Sequence, residues 1–389
     1  MAAAGPLAIL QRMQRDLFGP EHELFRDTVR RFLAQEVAPH VERWEARGAF
    51  DHGLFERAGA AGLLCPTVPD AYGGPGADLL YSAVVLEEAA FHGNFGLSLA
   101  MHSEIVTNYF LHFASEELKR LWLPRMVSGE CVGALAMTEP GGGSDVKAVR
   151  TTAVREGDHY VLSGSKTFIS NATVCDVVIV VARTDPQAGA RGISLLAVDT
   201  RLPGVSKGQP LRKIGLKAQD TGELFFDGVR VPADHVIGEP GRGFGYLMQE
   251  LPWERLQIAV SAVAAAEGAY RATVDYVRER QAFGHAVADF QNTRFVLAEL
   301  KTEIRIGRTF VDDCLRRHLA GQLDAQTASM AKYWCSDLQG RVADACVQLH
   351  GGYGFMAEQP IARAWIDARA QRIYGGTNEI MKELIARDL

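Results

Sequence analysis

Clusters of metal-binding or redox residues are what this chain lacks. Its six cysteines (65, 131, 175, 314, 335 and 346) are scattered, with no Cys-x-x-Cys pair. Neither a structural zinc nor a disulfide framework is expected, which favours a reducing compartment. None of the eleven histidines falls in a His-Glu-x-x-His motif, so a metalloprotease-type site has no support and no metal is expected. No block of consecutive Lys or Arg occurs and the formal net charge is -6, which argues against nucleic acid or an acidic membrane surface as partner. No run approaches the roughly 18 apolar residues of a membrane span. No Gly-x-Gly-x-x-Gly sits between a strand and a helix, so nicotinamide chemistry loses its usual support.

What is present is an ordinary globular balance, 47% apolar and 23% charged, in 389 residues. That length predicts two or three structural units. Residues 1–130 read as helices: Phe25, Val29, Phe32 and Leu33 recur at helical spacing, and Ser115 before Glu116 and Glu117 reads as an N-cap. The turn cluster AYGGPGAD (71–78) ends one helical stretch before LLYSAVVLEEAAF begins the next. Residues 131–236 hold short β-rich runs, HYVLSGSKTFIS, VVIVVA, ISLLAV and ELFFDGVRV, whose spacing predicts a small barrel or sandwich. Residues 237–389 return to long helices, with a last one beginning at Thr377. The fold class expected is mainly α with a central β domain. The start, MAAAGPLAILQRMQR, is Ala-rich with arginines and no acid, and a trimmed organelle presequence is one reading. The expected location is cytoplasmic, or the mitochondrial matrix in a eukaryote.

Two stretches invite chemistry. In ALAMTEPGGGSDV (134–146) three glycines before Ser144 and Asp145 leave backbone N–H groups free for a polar ring or phosphate, although a plain surface loop fits as well. In GSKTFISNA (164–172) Phe168 and Ser170 flank Ile169, so on a strand both face one way. That face offers a flat ring a packing surface and a hydroxyl donor; a structural strand is the alternative.

Taken in order, MTEPGGGSD, KTFISN, ERQAFGHAVADFQ, QLHGGYGF and IYGGTNEI resemble the acyl-CoA dehydrogenase family over essentially the whole chain. KIGLKAQDTGELFF, MAKYW and YGGTNEIMKELIAR look most like its long-chain branch. The resemblance implies an N-terminal helical domain, a middle β-barrel or sandwich domain and a C-terminal four-helix bundle. It also implies FAD, an acyl-CoA substrate, an electron-transfer flavoprotein as acceptor and a homotetramer built as a dimer of dimers. By position, Leu135, Ala136, Met137, Thr138, Ser144, Phe168, Ile169 and Ser170 would line the flavin. Arg280, Phe283, Gln291, Gln348, Gly351 and Gly352 would hold the pyrophosphate and adenine of a partner subunit's FAD. Thr377 and Glu379 would touch the flavin side. Ser144 and Phe244 match positions contacting the pantetheine arm, while Arg255, Tyr374 and Gly375 would border the substrate.

The reaction implied removes an α-proton from a thioester and passes a β-hydride to the flavin, and it needs a carboxylate base. Many members of the family carry that acid directly after the Tyr of the C-terminal motif, where this chain has Gly375. Members lacking it place the base in the helix matching ELPWERL (250–256). There Glu254 is the matched position and Glu250 a weaker rival one turn earlier. Pro252 suggests a helix N-terminus, so Glu254 is expected in the first turn, with the helix dipole favouring its anion and burial raising its pKa. An oxidase, or a non-catalytic acyl-CoA-binding scaffold on the same fold, is the alternative reading.

Overall fold

The computed structural model describes residues 15–93 and 99–387. Residues 1–14, and with them the presequence reading, lie outside the described residues.

The first region is helical. Helix α1 (Pro20–Phe32) starts with Pro at its first position and Glu21 and Glu23 in its first turn, then relaxes into a π-helical turn at Leu33–Val37. Helices α2 (Val41–Arg47) and α3 (Gly53–Ala60) follow. AYGGPGAD begins inside a single 3-10 turn, Asp70–Tyr72, and no full helix ends at it. Asp78 then caps α4 (Leu79–Phe91) by accepting from the Leu80 N–H. A π-helical stretch, Met101–Val106, leads into α5 (Thr107–Phe113), and Ser115 caps α6 (Glu116–Ser128) as its hydroxyl accepts from Leu118 N–H.

The second region is one curled, seven-stranded sheet. Its strands are β1 (Gly133–Ala136), β2 (Thr152–Glu156), β3 (His159–Ser170), β4 (Val177–Arg183), β5 (Ile193–Asp199), β6 (Val205–Lys207) and β7 (Thr221–Pro232). The order is β1-β4-β2-β3-β7-β6, with β5 antiparallel to β4 and β1 parallel to it. The uninterrupted apolar run of β4 has a direct cause. Val178 and Val180 point into the sheet's own core with Leu162, Leu196 and Val231, whereas Val177, Ile179 and Val181 pack under the N-terminal helices. A strand buried on both faces does not alternate.

The third region is built on α7 (Gly243–Glu279), which at 37 residues is about 55 Å long. It begins earlier than Pro252 suggests. Gly243 starts the helix because it lies against the backbone of Ile193 and Ser194, where a side chain has no room. Pro252 therefore stands inside the helix, and Glu254 is in its interior rather than its first turn. The helix dipole expected to favour the Glu254 anion does not act there, since that field fades beyond the first turn. Helices α8 (Gln291–Leu319) and α9 (Ala325–His350) pack with α7 around Leu256, Val260, Val263, Val311, Leu315, Leu338 and Val342. A short hairpin, β8 (Gln281–Ala282) and β9 (His285–Ala286), joins α7 to α8. No helix is expected from the sequence between HGGYGF and Thr377, yet α10 (Pro360–Ala368) stands there before α11 (Asn378–Ala386). Thr377 caps α11 as expected, its hydroxyl accepting from Ile380 N–H.

One ion network ties the first region to the third. The buried Glu87 of α4 accepts from Arg15 (2.7 Å), Arg26 of α1 (3.0 Å) and Arg308 of α8 (2.9 Å). Arg26 also reaches Glu88, and Arg308 reaches Glu267 of α7. Burial alone would raise the Glu87 pKa, but the guanidinium groups of Arg308, Arg15 and Arg26 outweigh it and bring the carboxyl down to about 2. Glu87→Gln leaves buried guanidinium groups under-paired and is expected to cost roughly 3–5 kcal/mol in urea unfolding. Because the folded pKa is depressed, the carboxylate's stabilisation is present above about pH 4.5 and fades as pH falls toward 2. The variant should therefore lose the wild type's acid sensitivity over that window.

Candidate active site

Glu254 lies on the face of α7 turned toward α5 and is 8% exposed. The Tyr109 hydroxyl donates to its Oε1 at 2.9 Å. Burial pushes its pKa up to about 7, and the charge of Glu250 adds to this; the Tyr109 hydrogen bond and Arg255 oppose both. A carboxyl poised there titrates near neutrality, the condition under which a general base works best. Glu250, one turn earlier, is also buried, with its Oε1 2.7 Å from His112 Nδ1. The two carboxylates thus have different partners, Tyr109 for one and His112 for the other.

Gly375 and Gly376 form the turn that faces the same helix. Both adopt left-handed backbone, φ +66° and +87°. A Cβ at Gly375 would collide with Ile258 Cδ1, one turn beyond Glu254 on α7. The turn is held from beneath by Lys332 of α9, fully buried, whose Nζ donates to Gly376 O (2.7 Å) and Asn378 Oδ1 (2.9 Å). Burial, with the neighbouring charge of Arg255, brings the lysine's pKa down to about 7. Arg255 is buried too, bonding Ser329 Oγ at 3.3 Å. Among the described residues neither of these two basic side chains is hydrogen-bonded to a carboxylate. Tyr374 is partly exposed beside the turn, and Glu379 is exposed in the first turn of α11. Thr377 spends its hydroxyl on capping.

The stretch after β1 is pinned from below. Glu139 accepts from Lys166 Nζ (2.9 Å), Thr151 Oγ1 (2.6 Å), Thr151 N (2.9 Å) and Arg150 N (2.7 Å), and Lys166 also donates to Met137 O (3.1 Å). Those bonds outweigh desolvation and hold the Glu139 carboxyl at about 2. Thr167 N–H donates to Thr138 O, so the loop runs alongside β3. Met137 and Thr138 are half-buried at this edge, whereas Ala136 and Ile169 point their side chains into the sheet core and Leu135 into the core beneath the helices. A register shift between Lys166 and Ile169 makes a bulge that breaks the simple alternation expected for β3. At the bulge Phe168 takes φ +58° and is 67% exposed. A bulky residue in left-handed backbone, with its ring in the open, marks a position held for a purpose. Ser170 Oγ accepts from Gln219 Nε2 at 3.0 Å. Ser144 is exposed in the glycine loop, and Phe244 is half-buried with Lys147 Nζ 5.3 Å above its ring.

A separate open cavity of about 480 Å³ gathers Arg280, Gln348, Gly351 and Gly352, together with Tyr276, Val287, Leu349 and Met356. Nothing lies within 4 Å of a Cβ built at Gly351 or Gly352, so the turn is flanked by open space, while the Gly351 N–H donates to Gln348 O. Arg280 sits 5.5 Å over Tyr353. Phe283, at the tip of the hairpin, is 93% exposed, and Gln291 opens α8 on the surface. A cation, an open glycine turn and apolar walls fit the pyrophosphate and ring of a dinucleotide, and the exposed Phe168 suits the flat end of a flavin. Among the described residues no group of His, Cys, Asp and Glu is arranged to hold a metal ion, and no helix is long and apolar enough to cross a membrane.

Comparison with known proteins identifies the class. Three family models match in succession: the acyl-CoA dehydrogenase N-terminal domain over residues 19–130, the middle domain over 134–229 and the C-terminal domain over 241–389. The chain belongs to the acyl-CoA dehydrogenase family, and with it to the FAD-dependent enzymes. The long-chain specific acyl-CoA dehydrogenase of Sus scrofa mitochondria is 52% identical over 377 residues, covering 96% of this chain and 88% of that protein. A crystal structure of an acyl-CoA dehydrogenase from Geobacillus kaustophilus matches with a TM-score of 0.94 at 46% identity, covering 96% of this chain and 99% of that one. A glutaryl-CoA dehydrogenase from Mycobacterium smegmatis, solved in complex with FADH2, matches with a TM-score of 0.89 at 27% identity over 96% of this chain and 95% of its own.

Tyr109, His112, Lys332 and the Glu139–Lys166 pair are absent from the sequence reading. Only Lys166 and Glu139, charges inside or beside β-rich runs, leave a local signal. Tyr109 makes a sharp prediction. Its hydroxyl stabilises the Glu254 anion, so Tyr109→Phe should raise the carboxyl's pKa above about 7. The rising limb of the pH profile for flavin bleaching by an acyl-CoA should then move to higher pH; a limb that stays put contradicts the role.

Proposed function

We propose that this enzyme removes two hydrogens from the α and β carbons of an acyl-CoA thioester to give the trans-2-enoyl product. Glu254 takes the α-proton, and long-chain or branched acyl groups are the substrates. The observation that carries this reading is a buried Glu254, oriented by Tyr109, on the helix that the side-chain-free turn at Gly375 faces. FAD, when bound, supplies the acceptor for the β-hydride. Met137, Thr138, Phe168 and Ser170 would hold its flavin end. Arg280, Gln348, Gly351 and Gly352 would hold the dinucleotide end, with Phe283 and Gln291 beside them.

Glu254 does its work as the anion, and burial keeps it only marginally ionised near pH 7, so closing the site over an acyl chain strengthens it as a base. Negative charge developing on the thioester oxygen meets the Gly375 N–H, with Lys332 holding the turn and Arg255 adding positive field. The long-chain reading draws on the 52% identity to the Sus scrofa enzyme. An electron-transfer flavoprotein is the acceptor we assign. A homotetramer is the assembly, its hairpin aromatic Phe283 left for a second copy to cover.

Glu254→Gln should still bind FAD and acyl-CoA but bleach the flavin about 10²–10⁴-fold more slowly. Near-wild-type bleaching sinks the assignment. A panel of acyl-CoA chain lengths, read by flavin bleaching, fixes the substrate class. Turnover with an electron-transfer flavoprotein, set against peroxide release in air, separates dehydrogenase from oxidase. Moving the base is a further check. In Gly375→Glu with Glu254→Gly, the new side chain meets the Ile258 δ-methyl, so adding Ile258→Val should recover more activity than the double variant alone. Equal activity with and without it contradicts the geometry.

A further inference from the structure

The base has to lose the proton it takes, and the surroundings of Glu254 suggest how. The carboxyl is buried, and its hydrogen-bond partner Tyr109 is a poor outlet because burial and the charge of Glu254 hold the phenol well above its ordinary pKa. On the same face of α7, four residues earlier, lies Glu250, whose side chain is 8% exposed. Side chains four apart on a helix are neighbours, with Cβ atoms roughly 5–6 Å apart. Glu250 in turn meets His112 Nδ1 at 2.7 Å, and the His112 side chain is 48% exposed. Helices α5 and α7 therefore face each other through two rungs, Tyr109 with Glu254 and His112 with Glu250. The first rung is closed to solvent and the second is open.

We propose that Glu250 and His112 form a proton relay between Glu254 and solvent; this rests on the reading of Glu254 as the base. After the α C–H bond breaks, the proton is on the Glu254 carboxyl. It passes to the Glu250 carboxylate, by rotation of either side chain or across one water. Glu250 Oε1 hands a proton to His112 Nδ1, and the imidazolium releases its Nε2 proton to bulk water. Glu254 is again an anion and no electrons move. The other titratable groups facing the relay are Tyr109 from α5, Arg255 from α7 and His318 from α8. His318 is stacked on Trp253 at 4.9 Å, and its burial favours the neutral ring. That leaves His112 as the exposed imidazole of the set.

The test uses FAD-loaded enzyme and a 3-thia acyl-CoA, which has an acidic α-proton and no β-hydride to give. Incorporation of deuterium at the α-carbon from D₂O, followed by NMR well above the Glu254 limb, reports proton traffic through the base. Bleaching by an ordinary acyl-CoA in a single turnover reports the first proton transfer. The ratio of exchange to bleaching should fall by about 10-fold or more in His112→Ala and in Glu250→Gln, and added imidazole should restore it in His112→Ala. An unchanged ratio in both variants overturns the relay, as does a loss in His112→Ala that imidazole fails to reverse. Glu254→Gln separates the two readings. If it exchanges at the wild-type rate, the base assignment has failed. If it is silent while the other two variants exchange normally, only the relay has.

Discussion

A carboxylate taken out of water and surrounded by three guanidinium groups is the constraint on which this structure turns. Glu87 contributes nothing on its own; buried without partners it would be protonated or would unfold the helix that carries it. Its partners come from the segment before α1, from α1 itself and from α8, so the site forms only when the first and third regions are assembled together. Arg15 extends the set by bonding Asp312 Oδ2 at 2.9 Å. Arg308 carries it to Glu267 on α7. Hydrocarbon contacts between helices tolerate sliding, whereas this set of fork-shaped donors does not.

Its effect reaches the chemistry through α7. That helix receives Arg308 through Glu267 in its second half and carries Glu254 about three and a half turns earlier, where α5 lies across it. The registry of α5 on α7 decides whether Tyr109 meets Glu254 or misses it by a turn. The polar centre is then assembled from four helices, α5, α7, α9 and the start of α11, none of which could hold it alone.

Much of the architecture was legible because its signals are local. The caps at Ser115 and Thr377, the β-rich middle and the helical texture on either side each rest on residues a few positions apart. The start of α7 was not, because a proline reads alike at a first turn and in an interior, and only the strand backbone against Gly243 shows where the helix begins. Helix α10 was hidden by its shortness and by the glycine turns on either side of it. The motifs single out Glu254, and what the structure adds is its surroundings: burial and the Tyr109 hydroxyl. Tyr109, 145 residues away, has no sequence signal at all, since its role comes from one hydroxyl meeting one carboxylate across a helix crossing. Lys332 reads as a surface lysine until the turn it holds is seen.

The distribution of sulfur in the fold has a consequence for durability. All six thiols are free and buried, and burial pushes the Cys65, Cys131, Cys175 and Cys314 thiols up to about 12. Peroxide attacks thiolates, and this molecule offers none at its surface. Buried, protonated thiols are thereby insulated from the most common route of cysteine oxidation. Among the described residues the exposed methionines are Met248 on α7 and Met356 on the wall of the cavity beside Arg280. Oxidative ageing at these positions should therefore begin as sulfoxide formation on the two exposed thioethers, a lesion that methionine sulfoxide reductases can reverse.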